Sequence, residues 1–290
     1  MTPPLTLPAP AKLNRMLHIV GRREDGYHTL QTLFQIIDLC DYLTFTSRHD
    51  GVIHLTSEVS GVRHDDNLIV RAARLLQHAS GTHLGATLAV DKRLPMGGGL
   101  GGGSSNAATV LVGLNHLWQL DFSLAALAQL GLQLGADVPV FVQGHSAWAE
   151  GVGEQLTSVM LDTPWFVIIH PGISVSTQSV FQDPQLTRDS RAITMARALQ
   201  GGAPAWRNDC EAVVKERYPP IAEALHWLAQ HAPSQLTGTG ACVFAAFETQ
   251  QAAQAIAQLA SQRWSAWVAR GLNISPLHDA LGYNFGLSIA

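Results

Sequence analysis

The sequence predicts an α+β fold built from two halves. Its 290 residues exceed the usual size of one domain, and at about 150 residues per domain two are expected. Strand-like segments are interleaved with helical ones, and the pattern starts again near Asp162-Thr163-Pro164, before the apolar run 165–169. We therefore divide the chain into residues 1–160 and residues 161–290.

The first half is predicted to open with a β-hairpin. Apolar runs at 13–20 and 29–39 flank a turn at Asp25-Gly26, a dipeptide typical of tight turns between strands. Alternation predicts strands at 42–47, 52–57 and 86–90 and short strands at 146–150 and 154–159. Helical periodicity and capping residues predict a helix from Asn67 to about His78, capped by Asp65 or Asp66, and a second helix at 106–118. Two further helices are predicted to begin at Asp121 or Ser123 and at an Asp137 cap.

The second half repeats this mixture of elements. After the strand at 165–169 the sequence predicts a mostly helical stretch from about 176 to 231, strands near 234–237 and 242–247, a helix near 249–262 and a strand at 264–270.

Composition and charge exclude several classes of protein. Apolar residues make up 47% of the chain and charged residues 14%, which argues against disorder. The net charge of −4 leaves no broad basic face for nucleic acid. Three scattered cysteines without a CxxC pair favour neither a disulfide framework nor a zinc ribbon, and the 13 histidines form no HExxH motif. No apolar run is long enough to span a bilayer, so we expect a cytoplasmic protein.

A glycine-rich segment at 95–105 predicts an anion site. It joins a strand to an amphipathic helix, and we expect Ser104 or Ser105 to cap that helix. Free backbone amides and the positive end of the helix dipole would then meet at one point, where phosphate is the usual ligand. The alternative, a flexible linker, fits poorly because linkers join domains rather than elements within one.

Three kinds of phosphate loop compete for this segment. The P-loop pattern GxxxxGK[ST] is absent because no lysine follows the glycines. The dinucleotide pattern GxGxxG matches at Gly97, Gly99 and Gly102, with Asp121 about 20 residues on, but Asp121 begins a predicted helix rather than ending a strand. The third kind has the form Pro-x-Gly-x-Gly-Leu-Gly followed by Ser-Ser.

That third loop resembles the second motif of the GHMP kinases. Two further segments occur where this family has its other motifs, at 8–14 (PAPAKLN) and at 237–242 (TGTGAC). The segments 10–14, 21–28 and 33–35, with the long loop at 99–108, resemble one branch of the family. Members of that branch phosphorylate a cytidine diphosphate sugar alcohol in isoprenoid precursor biosynthesis.

The resemblance implies a fold, a reaction and two co-substrates. The first half is expected to resemble the second domain of ribosomal protein S5, and the second half a ferredoxin-like sandwich. ATP, travelling with Mg²⁺, would donate its γ-phosphoryl group to the 2-hydroxyl of the substrate. Asp137 would be the general base and Lys12 its partner, since a nearby lysine keeps a carboxylate ionised and stabilises a developing alkoxide.

The resemblance also assigns residues to each ligand. ATP would contact Pro95, Met96, Gly97, Gly98, Gly99, Leu100, Gly101, Gly102, Gly103, Ser104 and Ser105, together with Lys92, Gly238, Thr239 and Gly240. The substrate would contact Asn14, Tyr27, His28, Thr177 and Phe181, with Tyr27, His28 and Phe181 forming the cytidine pocket. Ser104 or Ser105 would coordinate Mg²⁺. Partners are limited to small molecules, and the protein would be a monomer or a homodimer.

Simpler roles and other functions remain open at this point. From the residues alone Asp137 is better explained as a helix cap, and it is the resemblance that favours the base; Lys12 and Lys92 could be solvated strand residues. Arg15, where the branch usually has an apolar residue, raises a question about packing, and Gly98, where alanine is frequent, predicts a looser loop. The rival functions are a sister kinase acting on homoserine or mevalonate, a dinucleotide-dependent oxidoreductase and a catalytically inactive nucleotide-binding protein.

Overall fold

Ten strands join into one sheet that runs through both halves of the described chain. A computed structural model describes residues 3–57, 61–202 and 206–283. The strands are β1 (Leu5–Arg22), β2 (His28–Arg48), β3 (Ile53–Leu55), β4 (Gly85–Asp91), β5 (Ala147–Glu150), β6 (Gln155–Ser158), β7 (Trp165–His170), β8 (Ser234–Leu236), β9 (Val243–Phe247) and β10 (Ser265–Leu272). The mixed architecture confirms the predicted α+β class.

Helices lie between most of these strands. They are α1 (Leu68–Ser80), preceded by a 3-10 turn (His64–Asp66), then α2 (Gly102–Leu117), α3 (Leu124–Leu132), α4 (Val138–Gln143), α5 (Thr177–Gln182), α6 (Met195–Gly201), α7 (Glu211–Arg217), α8 (Pro219–Ala229), α9 (Gln250–Ala260) and α10 (Pro276–Ala280). Within the described ranges, no helix combines the length and apolar character that a bilayer crossing requires.

The first two strands form a long antiparallel hairpin, as predicted, but β2 corrects one prediction. The runs at 29–39 and 42–47 belong to a single strand. Pro10 pairs with Cys40 while the next residue, Ala11, pairs with Ile37, so Asp38 and Leu39 form a bulge. Neither glycine nor proline interrupts this region, so the chain bends through the bulge instead of turning back.

Two predicted helix caps are replaced by neighbouring residues. Asn67, not Asp65 or Asp66, caps α1 by accepting a hydrogen bond from the amide of Ile69. Helix α2 begins at Gly102, two residues before the predicted serine caps, because Gly101 adopts the left-handed conformation that ends the loop. Ser123 does cap α3, through the amide of Ala126.

The second half has a four-stranded antiparallel arrangement in the order β10-β7-β9-β8. Helices lie between β7 and β8 and between β9 and β10, which gives the order strand, helix, strand, strand, helix, strand of the expected ferredoxin-like sandwich. The predicted helical stretch 176–231 divides into four helices separated by irregular chain, and its residues 203–205 lie outside the described ranges.

The two halves share strand pairs and a buried cluster. Gly271 and Leu272 of β10 pair with Ile37 and Ile36 of β2, which makes the sheet continuous. Residues of five strands and of two loops pack in one apolar cluster: Ala11, Leu13, Ile37, Leu94, Leu100, Phe166, Ile168, Cys242, Phe244 and Ala269. A domain boundary at residue 160 therefore stays a prediction.

Arg15 fills a buried position between the halves. Its guanidinium donates to Gln35 Oε1 (2.6 Å) and to Asp162 Oδ1 (3.2 Å), and it lies over the rings of Phe166 (5.2 Å) and Trp206 (4.6 Å). Burial lowers the pKa of Arg15, and the attraction of Asp162 opposes that effect. The arginine at this otherwise apolar position is thus accommodated by two aromatic faces and two acceptors.

We expect Arg15→Ala to lower the free energy of unfolding by about 2–4 kcal/mol. The change removes buried packing and leaves Gln35 Oε1 without the hydrogen bond that Arg15 donates to it. The matched control is Arg93→Ala, since Arg93 also stacks on a ring, that of Tyr42, but is largely exposed. Urea denaturation measures both changes. Equal losses in the two variants would contradict the buried role of Arg15.

Candidate active site

A cavity of about 670 Å³ opens between the β1–β2 hairpin, the glycine-rich segment and the turn at 238–239. It brings together most residues that the sequence predicts for the site: Lys12, Asn14, Lys92, Pro95, Met96, Gly97, Gly98, Gly99, Leu100, Gly101, Gly102, Gly103, Ser104, Asp137, Thr177, Phe181, Gly238 and Thr239. Tyr27, His28, Ser105 and Gly240 do not line it.

Lys12 lies on β1 at the base of the cavity with only 3% of its surface exposed. Its ammonium donates to Asn14 Oδ1 (2.6 Å) and to the carbonyl of Gly99 (3.0 Å), and lies 3.4 Å from Asp137 Oδ2. A buried ammonium requires such partners, because an unpaired charge in the interior is strongly unfavourable. Lys12 is therefore not the exposed strand lysine of the simpler interpretation.

Asp137 stands at the N-terminus of α4, as predicted, yet its side chain makes no capping hydrogen bond. The carboxylate faces Lys12 instead and remains partly accessible, with 35% of the side chain exposed. Pro139 in the first turn removes one backbone donor that a cap would otherwise satisfy. The geometry thus leaves this carboxylate available to a ligand in the cavity.

The glycine-rich segment is held against the 237–242 segment by backbone hydrogen bonds. The amide of Ala241 donates to Gly97 O and the amide of Cys242 donates to Gly98 O, both at 3.0 Å. At Gly99, which has a φ of +74°, a Cβ would lie 2.3 Å from the carbonyl of Thr237. Only glycine fits such an approach, so the two glycine motifs meet at one wall of the cavity.

Gly98 packs tightly and does not loosen the loop, which corrects the expectation drawn from its departure from alanine. A Cβ at this position would lie 2.7 Å from Cys242 Sγ and 3.4 Å from Pro95 Cγ. Cys242 is fully buried, and its burial raises the pKa of the thiol. The sulfur of Cys242 thus occupies the volume that a methyl group at residue 98 would need.

The first turn of α2 faces the cavity with the geometry of a candidate anion site. Gly102, Gly103 and Ser104 all line it, and the first amides of a helix have no partner within the helix. Ser105 faces the other way, because its Oγ is buried and has no hydrogen-bond partner among the described residues. Of the two serines predicted to coordinate Mg²⁺, only Ser104 reaches the cavity.

Lys92 reaches the same turn and is held there by residues that the sequence analysis missed. Its ammonium donates to Asp41 Oδ2 (2.5 Å) and Asn106 Oδ1 (3.2 Å). A Cβ on Gly102 would lie 3.6 Å from the Lys92 nitrogen, which places the ammonium beside the anion site. No sequence motif pointed to Asp41, since an aspartate inside a strand carries no local signal of its role.

The three aromatic residues predicted to form a cytidine pocket do not all meet in this structure. His28 and Phe181 stack on each other with centroids 5.1 Å apart, and Phe181 faces the cavity. Arg188 donates to His28 Nε2 (3.0 Å), so the neutral ring carries its proton on Nδ1. Burial and the neighbouring Arg188 and Arg22 lower the pKa of His28. Tyr27 is 64% exposed on the hairpin turn.

Threonine hydroxyls connect the segments that surround Lys12. Thr32 Oγ1 accepts from Asn14 Nδ2 (2.9 Å), and Thr237 Oγ1 accepts from the amide of Asn14 (3.1 Å). Thr177 and Thr239, which also line the cavity, share a hydrogen bond between their hydroxyls (3.0 Å). Thr32 and Thr237 were not singled out from the sequence, although Thr237 belongs to the second glycine motif.

No group of three or more histidine, cysteine or acidic residues in the described part of the chain is arranged to hold a metal ion. Ser104, in the first turn of α2, carries a hydroxyl oxygen and lines the cavity. Oxygen ligands suit Mg²⁺, which usually keeps several waters and is bound together with substrate phosphates.

Comparison with known proteins identifies the class. Residues 67–145 match the family model "GHMP kinases N terminal domain" and residues 189–266 match "GHMP kinases C terminal". A solved homoserine kinase from Cytophaga hutchinsonii, at 17% identity, has the same fold with a TM-score of 0.70 over 95% of this chain and 96% of its own. The chain belongs to the GHMP kinase family.

Closer relatives define the branch. A 4-diphosphocytidyl-2-C-methyl-D-erythritol kinase from Chromohalobacter salexigens is 64% identical over 96% of this chain and 94% of its own length. The kinase of the same name from Pseudomonas syringae pv. syringae is 56% identical over 97% and 98%. A crystal structure of 4-(cytidine 5'-diphospho)-2C-methyl-D-erythritol kinase has a TM-score of 0.81 at 31% identity, over 92% of this chain and 99% of its own. Within the family, this chain belongs with these kinases.

The contact at Gly98 gives a prediction about stability. We expect Gly98→Ala to cost about 1–3 kcal/mol of unfolding free energy, because the added methyl group collides with the Cys242 sulfur. In a Cys242→Ala background the same change should cost far less. Thermal or urea unfolding of the four proteins in this cycle measures the coupling.

Gly103→Ala is the matched control, since a Cβ there meets only Leu68 Cδ1, at 3.4 Å, and alanine is favoured within a helix. Additive effects of Gly98→Ala and Cys242→Ala would show that the sulfur is not what excludes a side chain at residue 98.

Proposed function

We propose that this kinase transfers the γ-phosphoryl group of ATP to the 2-hydroxyl of 4-diphosphocytidyl-2-C-methyl-D-erythritol. Kinases of the GHMP family use ATP, and the relatives at 56–64% identity carry the name of this substrate. The observation that carries the proposal is the Lys12–Asp137 pair, 3.4 Å apart, in the same cavity as the first turn of α2.

The proposed phosphate site consists of backbone rather than charged side chains. The amides at the start of α2 and the positive end of its dipole face the cavity, and the glycines at 97–103 allow a ligand to approach the main chain closely. Phosphoryl transfer passes through a loose transition state, so positioning and charge stabilisation supply most of the catalysis. A rigid row of amides meets both requirements.

Asp137 is the proposed general base. Its carboxylate is partly exposed and is not used as a helix cap, so it can accept the proton of an acceptor hydroxyl as the new O–P bond forms. Lys12 stabilises the negative charge that develops on the attacking oxygen. Its hydrogen bonds to Asn14 and Gly99 fix the ammonium at the required position before the substrate binds.

Mg²⁺ is the proposed metal, brought by ATP. Among the described residues that line the cavity, the cations are Lys12 and Lys92, and each already faces an aspartate. The side chains alone therefore leave most of the triphosphate charge uncompensated. The Ser104 hydroxyl would hold the ion together with the ATP phosphates, and the ion supplies charge neutralisation at the transferred group.

The proposed acceptor end lies at the hairpin and α5. Phe181 would stack on the cytosine ring, and His28, which now stacks on Phe181, would move away to make room for that ring. Tyr27, exposed on the hairpin turn, would cover the cytosine from the other side. Thr177 at the rim would contact polar groups of the sugar alcohol. Asn14 Oδ1 accepts from Lys12 and Asn14 Nδ2 donates to Thr32, so the main contribution of the Asn14 side chain is to position Lys12.

The structure disfavours the oxidoreductase alternative. A dinucleotide fold requires a strand that ends at the acidic residue, but Asp121 lies between α2 and α3, which are separated only by irregular chain. A monomeric or homodimeric state and a cytoplasmic location remain predictions from the sequence.

The base assignment gives a kinetic prediction. We expect Asp137→Asn to reduce kcat by about 10²–10⁴-fold, because the amide cannot accept the hydroxyl proton, while the Kd for ATP changes little. Coupled ADP release and equilibrium ATP binding measure the two quantities. Asp121→Asn, a change of the same kind at an exposed residue, should match the original protein. Retained turnover in the Asp137 variant would remove this residue as the base.

The acceptor assignment is tested with a panel of alcohols. ADP release should occur with 4-diphosphocytidyl-2-C-methyl-D-erythritol and stay at background with homoserine and mevalonate. Turnover with either of the latter alone would refute the proposed acceptor while leaving the kinase class intact. ATP binding without turnover on any alcohol would favour a catalytically inactive nucleotide-binding protein.

A further inference from the structure

We propose that Asp41 is a positioning residue that holds Lys92 at the phosphate site and fixes both ends of the glycine-rich segment. This inference rests on the proposed binding of ATP phosphates at the first turn of α2, but not on the identity of the acceptor. Asp41 lies on β2, just after the bulge at Asp38 and Leu39, and is fully buried.

The Asp41 carboxylate is saturated with four donors. Oδ1 accepts from the backbone amides of Arg93 and Leu94, both at 2.8 Å. Oδ2 accepts from Lys92 Nζ (2.5 Å) and from Asn106 Nδ2 (2.9 Å). A buried carboxylate is tolerated only when its oxygens are satisfied in this way.

These donors come from the two sides of the glycine-rich segment. Lys92, Arg93 and Leu94 lead into the segment from β4, and Asn106 lies on α2, which leads out of it. One carboxylate therefore ties the entrance of the loop to its exit. Because glycines impose few limits on the backbone, a loop of this kind needs fixed ends to keep its amides aimed at one ligand.

The same carboxylate determines what Lys92 can offer to a ligand. An ammonium has three N–H donors, and two are used by Asp41 and Asn106. The nitrogen lies beside Gly102, at the turn whose amides line the cavity, and the Lys92 side chain keeps 24% of its surface exposed. The third donor is thus left for a phosphate oxygen, and Asp41 sets its direction.

Removing this carboxylate should weaken nucleotide binding through Lys92. In Asp41→Asn we expect the KM for ATP to rise about tenfold, with kcat and the KM for the acceptor within about threefold of the original values. Lys92→Met should produce a similar rise. In the double variant, adding Asp41→Asn to Lys92→Met should change the KM for ATP by less than about threefold, because the two substitutions remove the same interaction.

Two additional variants separate this role from a purely structural one. Asp91→Asn is the matched control, because Asp91 is an exposed residue at the end of β4 that pairs with Arg93. This substitution should leave the KM for ATP unchanged. If Asp41→Asn does not fold, Asn106→Ala tests the same network, because it removes one donor to Asp41 and one acceptor of Lys92. We expect that variant to raise the KM for ATP severalfold, and only when Lys92 is present.

Three results would overturn the inference. They are an unchanged KM for ATP in Asp41→Asn or its substitute, equal effects of these changes with and without Lys92, and a loss confined to thermal stability. Failure of the original protein to turn over ATP with any alcohol would count against the proposed function, which is a different outcome.

Discussion

The buried ammonium of Lys12 is the constraint on which the site depends. With 3% of its surface exposed, it must be surrounded by acceptors, and these come from three distant stretches of chain: Asn14 on β1, Gly99 in the glycine-rich segment and Asp137 at α4. Satisfying one charge therefore brings together the proposed base, the proposed phosphate loop and the strand that supports them. The stability of this arrangement and its proposed chemistry have the same physical origin.

A second aspartate–lysine pair lies beside the first turn of α2, where the phosphates are proposed to bind. Lys92 faces the buried Asp41, as Lys12 faces Asp137, but the two carboxylates differ in exposure. Asp41 is enclosed and saturated by hydrogen bonds, which suits a fixed support. Asp137 is partly open and has no capping role, which suits a group that must accept a proton. Burial thus distinguishes the two aspartate–lysine pairs.

Local signals in the sequence predicted much of this structure, and its errors share a cause. The hairpin was expected from periodicity and a turn dipeptide, whereas the ferredoxin-like second half and the meeting of Lys12 with Asp137 were expected from the family resemblance. The sequence did not reveal that β2 is continuous, because the bulge at Asp38 and Leu39 contains no glycine or proline that would mark a change in the strand. The roles of Asp41 and Gly98 depend on partners 51 and 144 positions away, Lys92 and Cys242, which no local pattern reveals.

In the proposed complex, the glycine-rich segment holds the triphosphate so that its terminal phosphate faces an acceptor hydroxyl beside Asp137. A crystal structure with a non-hydrolysable ATP analogue and 4-diphosphocytidyl-2-C-methyl-D-erythritol is the most direct measurement. We expect phosphate oxygens within hydrogen-bond distance of amides in the 99–104 stretch, and the 2-hydroxyl within hydrogen-bond distance of the Asp137 carboxylate. A triphosphate bound away from α2, or an acceptor hydroxyl remote from Asp137, would contradict the account.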